Sequence, residues 1–269
     1  MFKQLVRPIY HILYRSWVRV RCYCEDYRAG QPDLPPAMLR FRVSESVHEK
    51  LFVDIGRKCA HLIAGLLSER GKANEGSRVL DFGCGCGRTI KWLIEDHPEA
   101  VFSGCDIDPE AIRWCHDHLP QGNFQVNAAL PPLEYESSHF DAVYCFSVFT
   151  HLNETMQDAW LAELRRIVKP NGVLIISVHG HNATRVLSEA DRRVLKSEGF
   201  LHKTSRKLSG FLPDWYHTTW HSQSYILDKL TSLFGTATYI VVVDGIQDCV
   251  VASGALDVHA RSKLRPQST

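Results

Sequence analysis

The residues best placed for chemistry are Asp81 and three glycines at alternate positions, Gly83, Gly85 and Gly87. They lie between a short apolar run, typical of a buried strand, and a predicted helix, where glycine lets the backbone turn tightly and approach a ligand. A dinucleotide-binding turn has the spacing G-x-G-x-x-G, whereas Arg88 occupies the position three after Gly85. The carboxylate of Asp81 would repel a pyrophosphate but attract an ammonium group. A glycine turn without a ligand is the alternative.

A second acid, Asp106, ends the next predicted strand and follows Asp81 by 25 residues (106 − 81). An acid at about this distance from a glycine turn, roughly 20 residues, is spaced to accept hydrogen bonds from ribose hydroxyls. Ile107 could cover one face of an adenine, and Asp108 is predicted to be the N-cap of a helix over 109–118. A ligand with an ammonium group, a ribose and an adenine is S-adenosylmethionine, which we predict as the cofactor.

These motifs resemble those of the class I S-adenosylmethionine-dependent methyltransferases, over roughly residues 50–255. The turn reads VLDFGCGCGR, and FDAVYCFSVFTHL resembles the family's fourth strand with the segment that follows it. The resemblance implies that Asp81 and the glycine turn hold the aminocarboxypropyl arm and that Asp106 holds the ribose. It also implies that Asn127, after the third strand, faces the adenine amine and that Phe146, after the fourth, lies at the site.

The order of apolar segments and turns predicts an α/β fold with a doubly wound, Rossmann-like sheet of seven strands. One strand is antiparallel and comes from a C-terminal hairpin turning at 244–247. A basic, aromatic helical arm is predicted for residues 1–48 and a methyltransferase domain for 49–258. Residues 180–220 are predicted to form a substrate-lid insertion in that domain, and 259–269 a polar tail.

Candidate catalytic bases follow from the rule that ligands lie outside the carboxyl ends of the strands. A methyl acceptor that is an alcohol needs a general base, whereas a carboxylate or a phenolate does not. His179 and His151 are the principal candidates, with packing beneath the cofactor as the alternative for His151. The residues predicted to contact the acceptor are His181, Trp215, Tyr216, His217, Trp220 and His221. His217 and His221 are also weaker candidate bases, and core packing is the alternative for the aromatic residues.

The insertion is rich in cations, with seven basic and three acidic residues between positions 185 and 207, a net charge of +4 (7 − 3). A solvated helical face and a clamp for an anionic acceptor are the two interpretations. The pairs His179-x-His181 and Cys84-x-Cys86 lack a second pair at the spacings of common zinc sites. No metal is therefore predicted.

Composition is that of a globular enzyme: 269 residues, 45% hydrophobic and 23% charged. The net charge of +1 gives no general attraction to nucleic acid, and CFSVF after the fourth strand lacks the Asp/Asn-Pro-Pro-aromatic motif of base methyltransferases. Nine scattered cysteines are typical of reduced thiols, and no apolar run approaches the roughly 20 residues of a membrane span. A cytoplasmic protein without a nucleic-acid partner is predicted.

The N-terminal 28 residues contain six basic, two acidic and six aromatic residues. Three interpretations stay open for them: packing on the catalytic domain, contact with a partner or a second copy, and peripheral binding to an anionic membrane. Residues 38–67 are predicted to be helical, capped at Ser44 or Ser46, and the arm is expected to cover the cofactor site. The predicted function is O-methylation of a small molecule, sugar or glycan. A non-catalytic S-adenosylmethionine-binding or scaffold protein is the alternative.

Overall fold

A computed structural model describes residues 2–29, 33–205, 208–242 and 247–254. The α-helices in these ranges are α1 (Phe2–Ala29), α2 (Ala37–Ser44), α3 (Glu49–Ser68), α4 (Ile90–Asp96), α5 (Pro109–His118), α6 (Glu154–Ile167), α7 (Glu189–Glu198) and α8 (Gln223–Phe234). The strands are β1 (Arg78–Phe82), β2 (Val101–Asp106), β3 (Asn123–Val126), β4 (Phe140–Cys145), β5 (Val168–His179), β6 (Phe200–Lys203), β7 (Thr218–His221), β8 (Thr236–Ile240) and β9 (Gln247–Ser253). A 3-10 helix covers Asn182–Val186.

Seven strands form one sheet in the order β3-β2-β1-β4-β5-β9-β8. All neighbours pair in parallel except β9, which is antiparallel to both β5 and β8. The predicted doubly wound sheet with one reversed strand is therefore confirmed. Most of the predicted hairpin turn, residues 244–246, lies outside the described residues. Because the strand order reverses between β1 and β4, the crevice for a ligand lies at their carboxyl ends.

Helices cover both faces of the sheet, so its central strands are buried on both sides. Val79 and Leu80 are adjacent in β1 and their side chains enter opposite layers. Leu80 belongs to the cluster that includes Leu164 of α6 and Leu230 of α8, whereas Val79 belongs to the cluster with residues of α3, α4 and α5. This two-sided burial keeps the strand ends, and the loops that follow them, in fixed positions.

The predicted helix over residues 38–67 is two helices, because Glu45 adopts a left-handed conformation (φ 54°) and ends α2. The predicted caps are wrong: the Ser44 hydroxyl donates to the Arg40 carbonyl oxygen, and α3 begins after His48 without a side-chain cap. Arg40 is buried and donates to the carbonyl oxygens of Pro35 and Val47, which ties the segment before α2 to the segment after it.

The insertion between β5 and α8 contains the 3-10 helix, α7 and the two-stranded antiparallel sheet of β6 and β7. The 3-10 helix comes soon after the end of β5. Residues 211–216, which lie between β6 and β7, contribute to the cavity described below. Among the described residues, no helix combines the length and the apolar character needed to span a bilayer.

Candidate active site

The glycine turn between β1 and α4 is fastened to the end of β2. The amides of Gly83 and Cys84 donate to the Cys105 carbonyl oxygen at 2.8 and 3.1 Å. Gly83 has φ 81°, and a Cβ atom there would lie 2.4 Å from Cγ2 of Val148. A Cβ atom on Gly85 (φ 52°) would lie 2.5 Å from a methyl group of another element. Both positions therefore require glycine, and both line a cavity of about 350 Å³.

Gly87 has a different place, because it does not line this cavity. Its φ is 80°, and a Cβ atom there would lie 2.6 Å from Cδ1 of Leu119. Gly87 thus permits the turn into α4 and close packing on α5.

Asp81 lies at the cavity and is only 3% exposed. Burial raises the pKa of its carboxyl group to about 7, and the nearby Asp106 carboxylate adds to this, while the Tyr144 hydroxyl and Arg88 oppose it. A ligand ammonium group would stabilise the carboxylate and lower this pKa. Asp81 is thus suited to bind a cation within the cavity.

Asp106 ends β2 and also lines the cavity. Its Oδ2 accepts from the Gly85 amide at 2.8 Å and its Oδ1 accepts from the Asp108 amide at 2.9 Å. Burial raises the pKa of Asp106, and these backbone donors oppose that rise. Asp108 is the N-cap of α5 as predicted, with Oδ1 accepting from the amides of Glu110 and Ala111. The Asp106 carboxylate therefore joins the glycine turn to the start of α5.

Asn127 follows β3 and lies at the same cavity as Ile107 and Phe146. Its backbone amide donates to the Asp106 carbonyl oxygen, and its Nδ2 donates to the Ala128 carbonyl oxygen at 2.7 Å. Its Oδ1 is buried and has no hydrogen-bond partner among the described residues. An unsatisfied buried acceptor is costly, so an amino group of a ligand would find a favourable partner here.

The turn after β4 is fixed in position by a small network of hydrogen bonds. Ser147 has φ 61°, an uncommon conformation for a residue other than glycine, and it lines the cavity. Its amide donates to Oγ of Ser177, and its Oγ accepts from Nε2 of Gln247 at 2.8 Å. The Ser177 hydroxyl donates in turn to Oε1 of Gln247. These bonds to β5 and β9 fix the positions of the flanking cavity residues, Phe146 and Val148.

Two segments distant in sequence form the roof of the cavity. One is α2, and the other is residues 211–216 of the insertion. Arg42 of α2 forms ion pairs with Asp108 (2.7 Å) and Glu110 (2.8 Å), and Arg88 donates to the Val43 carbonyl oxygen at 2.8 Å. The expected covering by the N-terminal arm is thus made by α2. Sequence reasoning missed these two arginines, although Arg88 directly follows the glycine turn.

His151 lies at the cavity beneath this roof, and its ring stacks on Tyr216 with the centroids 3.9 Å apart. Its Nδ1 is 2.7 Å from the His217 carbonyl oxygen, so Nδ1 carries the hydrogen and Nε2 of the neutral ring keeps a lone pair. Burial lowers the pKa of His151 to about 4. The side chain is therefore a neutral acceptor at physiological pH.

The other predicted base, His179, does not line the cavity. Its Nδ1 is 2.9 Å from the Thr219 carbonyl oxygen, its ring centroid lies 6.3 Å from that of His151, and burial lowers its pKa. The ring packs against Trp220 of β7, with the two ring centroids 5.5 Å apart.

Of the predicted acceptor residues, Trp215 and Tyr216 line the cavity. The other four do not: they are His181, His217, Trp220 and His221. The Trp220 indole donates to the Ala183 carbonyl oxygen, and the buried His221 bonds Gln157 through Nε2, where burial lowers its pKa to about 3. These residues help to pack the insertion on the sheet.

The basic residues of the insertion that the structure describes also lie away from the cavity. Lys203 pairs with Asp191, while Arg192, Arg193 and Lys196 are exposed on α7. Arg206 and Lys207 lie outside the described residues. This arrangement favours the solvated face over the clamp. Among the described residues, no group of three or more His, Cys, Asp or Glu side chains could hold a metal ion.

Comparison with known proteins places residues 79–172 in a family described as a methyltransferase domain. A tRNA (carboxymethyluridine(34)-5-O)-methyltransferase of Arabidopsis thaliana is 35% identical over 38% of this chain and 24% of its own. A malonyl-[acyl-carrier protein] O-methyltransferase of Halalkalibacterium halodurans is 24% identical over 55% of this chain and 56% of its own. The chain thus spans less than two thirds of these relatives.

Among solved structures, a S-adenosylmethionine-dependent methyltransferase from Methanosarcina mazei has a TM-score of 0.53 at 20% identity. The similarity covers 70% of this chain and 96% of that one. The sheet order and the glycine turn, with the domain match, define a class I methyltransferase domain. The domain match over residues 79–172, the relatives and the shared fold support the predicted family, the class I S-adenosylmethionine-dependent methyltransferases.

S-adenosylmethionine is the cofactor of this class, as predicted, and the cavity fits it in three respects. Asp81 offers a buried carboxylate for an ammonium group, and Asn127 offers an unsatisfied buried acceptor for an amine. Gly83 and Gly85 also line the cavity, and their lack of a Cβ atom leaves space there for the ligand.

Proposed function

We propose that this chain is an S-adenosylmethionine-dependent methyltransferase that methylates an oxygen atom of a small molecule or a sugar. One observation carries the proposal. Asp81, Asp106 and Asn127 lie at the same cavity as the neutral imidazole of His151. Methyl transfer to a hydroxyl group requires groups that bind the methyl donor and a proton acceptor in the same cavity.

When bound, S-adenosylmethionine supplies an electrophilic methyl group on a sulfonium centre, which is transferred in line to the acceptor. On our proposal, Asp81 binds the ammonium group, Asp106 accepts from ribose hydroxyls, and Oδ1 of Asn127 accepts from the adenine amine. The carboxylate of Asp106 is already oriented by two backbone amides. Such preorganisation reduces the entropy lost when the donor binds.

His151 would take the acceptor proton at Nε2 while the acceptor oxygen forms its bond to the methyl carbon. The bond from Nδ1 to the His217 carbonyl oxygen fixes the tautomer and the orientation of the ring. A pKa of about 4 makes the imidazole a weak base. A weak base suits an acidic hydroxyl group, such as that of a phenol, better than an aliphatic hydroxyl group of a sugar.

The lining at the roof also favours a ring-bearing acceptor. Phe211, Leu212, Trp215 and Tyr216 present apolar and aromatic surface to the cavity beside His151. Such a lining binds a flat apolar molecule and excludes water from the reacting atoms. Aromatic side chains also stack on sugar rings, so sugars belong in the test. Both relatives named above are O-methyltransferases, which supports oxygen as the acceptor atom.

The first test is ligand binding by thermal unfolding. S-adenosylhomocysteine at 100 times its dissociation constant should stabilise the protein by about 2.7 kcal/mol, whereas NAD should not. Stabilisation by NAD alone would overturn the assignment of the cofactor.

The second test is transfer of labelled methyl to panels of phenols, carboxylic acids and sugars. With a phenol or a sugar as acceptor, His151→Gln should lower kcat by about 10²–10⁴-fold while leaving the affinity for S-adenosylhomocysteine unchanged. His179→Gln is the matched control and should keep its activity. Equal activity of the His151 variant and the wild type would refute the role of His151. Binding of S-adenosylhomocysteine without transfer to any acceptor, including those of a cell extract, would favour the non-catalytic alternative.

A further inference from the structure

The outer face of α1 is apolar and aromatic over four turns. The exposed residues are Ile12, Leu13, Trp17, Val20, Tyr23 and Tyr27. Trp17 is 56% exposed, Tyr23 72% and Tyr27 84%. At 3.6 residues per turn, all six fall within a sector of about 140° around the helix axis. The same sector also contains the exposed Ser16 and the half-buried Cys24. An exposed face that is otherwise apolar marks a binding surface.

Arginines flank this sector on both sides. The helical positions put Arg19 about 20° beyond one edge and Arg28 and Arg21 about 20° and 40° beyond the other. Arg19 and Arg28 are exposed, and the Arg21 guanidinium carbon lies 5.5 Å from the centroid of the Trp17 ring. The outer face of α1 therefore combines apolar and aromatic side chains with cations at both edges.

The two acids of α1 bond to the segment around α2 instead. Oδ1 of Asp26 accepts from the Ala37 amide at 2.7 Å, and Oε1 of Glu25 lies 3.3 Å from Nδ1 of His48. No acid falls within the apolar sector: Glu25 is half-buried, Asp26 is exposed about 40° beyond the edge that Arg19 flanks, and α1 contains no other acid.

The inner face fastens α1 to the rest of the molecule. Val18 and Cys22 are buried with Phe41 of α2 and with Leu208. Nε of Arg15 donates to the Ser209 carbonyl oxygen at 2.8 Å. The helix thus lies on the two segments that roof the cavity, while its apolar outer face is covered by no other described residue.

The charge pattern decides which occupant fits this face. In a two-fold dimer, the arginine edges of one α1 would face those of the other across an apolar sector that contains no acid, which is unfavourable. An anionic bilayer satisfies both features, because arginines bind lipid phosphates while Trp and Tyr lie at the level of the headgroups. We infer that the outer face of α1 binds an anionic membrane surface, with the helix axis in the plane of the headgroups.

The experiment is flotation of the full-length protein with lipid vesicles. We expect it to float with vesicles that contain phosphatidylglycerol, to float poorly with phosphatidylcholine alone, and to be released by high salt. The double variant Leu13→Ser, Trp17→Ser should bind at least tenfold more weakly. Arg21→Gln and Arg28→Gln should each weaken binding about fivefold.

Matched controls come from the insertion. Val186 is 82% exposed and Arg193 is exposed on α7, so Val186→Ser and Arg193→Gln should bind vesicles like the wild type. Absence of flotation by the wild type, or unchanged flotation of both the apolar and the arginine variants, would overturn the inference. A dimer seen by analytical ultracentrifugation and lost in the apolar variant, without vesicle binding, would assign the face to a second copy. Retained stabilisation by S-adenosylhomocysteine shows that a variant is folded.

Discussion

The donor end of the cavity and its roof are built in different ways. The donor end consists of turns that directly follow β1, β2 and β3, joined by hydrogen bonds such as those from Gly85 and Asp108 to the Asp106 carboxylate. The roof consists of α2 and residues 211–216, which are far away in sequence. Its link to the donor end includes the ion pair between Arg42 and Asp108, whose side chains are about one fifth exposed (22% and 21%).

This difference has an energetic meaning. Asp106 is half-buried, and a carboxylate that accepts from backbone amides forms strong bonds and leaves those amides unsatisfied when it is removed. Ion pairs between partly exposed side chains contribute little, about 0–1 kcal/mol. We therefore expect the donor end to be rigid before ligands bind, and the roof to move when a ligand enters the cavity.

The largest effect is expected at Asp106. Replacement by alanine removes two charge-assisted bonds of about 1.5–3 kcal/mol each, so Asp106→Ala should lower the free energy of unfolding by about 3 kcal/mol. It should also weaken S-adenosylhomocysteine binding by at least about 100-fold, as measured by calorimetry.

Asp141→Ala is the control for this variant, because Asp141 also accepts from a backbone amide, that of Arg78, but at the opposite edge of the sheet. Asp141→Ala should lower the free energy of unfolding without changing the affinity for S-adenosylhomocysteine. Unchanged affinity in Asp106→Ala would remove Asp106 from the donor site.

A smaller effect is expected at Gly83. Gly83→Ala places a Cβ atom where φ is 81° and Val148 is 2.4 Å away, so the turn must shift. Left-handed backbone costs a residue with a side chain roughly 1–2 kcal/mol. The shifted turn of the free protein avoids this cost, and binding must restore it, so S-adenosylhomocysteine should bind about tenfold more weakly. Gly65→Ala in α3, where a Cβ atom meets nothing within 4 Å, should leave affinity unchanged. Equal affinities of the two variants would contradict a rigid donor end.

Donor binding should depend on pH through Asp81. Its pKa of about 7 in the free protein falls when an ammonium group binds, so the ligand prefers the ionised form. Affinity for S-adenosylhomocysteine should therefore rise with pH, by up to about tenfold per unit below pH 7, and then level off. Calorimetry in buffers of different ionisation enthalpy should record proton release on binding near pH 6. In Asp81→Asn the dependence should disappear; its persistence would assign the proton to another group.

The smallest effect is expected at the roof. Arg42→Gln should lower the free energy of unfolding by no more than about 1 kcal/mol and weaken S-adenosylhomocysteine binding by about two- to fivefold. Lys50→Gln breaks an ion pair with Asp54 on α3 that does not touch the cavity, and should leave affinity unchanged. If Arg42→Gln lost as much affinity for S-adenosylhomocysteine as Asp106→Ala, the donor end and the roof would not differ in the way we expect.

The donor end could be predicted because its parts are local. Asp81 and Asp106 lie at the carboxyl ends of their strands and Asn127 directly follows one. The apolar residues of each strand mark it in the sequence, and parallel strands bring their carboxyl ends to one edge of the sheet. Asp108 was likewise recognisable as an N-cap from the proline that follows it. Sequence spacing alone did not separate Gly87, which serves helix packing, from Gly83 and Gly85, which line the cavity.

The sequence by itself thus determined the class of fold, the glycine turn and the side chains at the strand ends, because these depend on residues within a few positions of one another. Only the tertiary structure decided which histidine lies at the cavity and which segments cover it. His151 follows the central strand β4 and His179 ends its neighbour β5, but Tyr216 stacks on His151 whereas Trp220 of β7 packs against His179. Arg42 likewise meets Asp108 across 66 residues. Such contacts depend on how distant elements pack together, which no local spacing encodes.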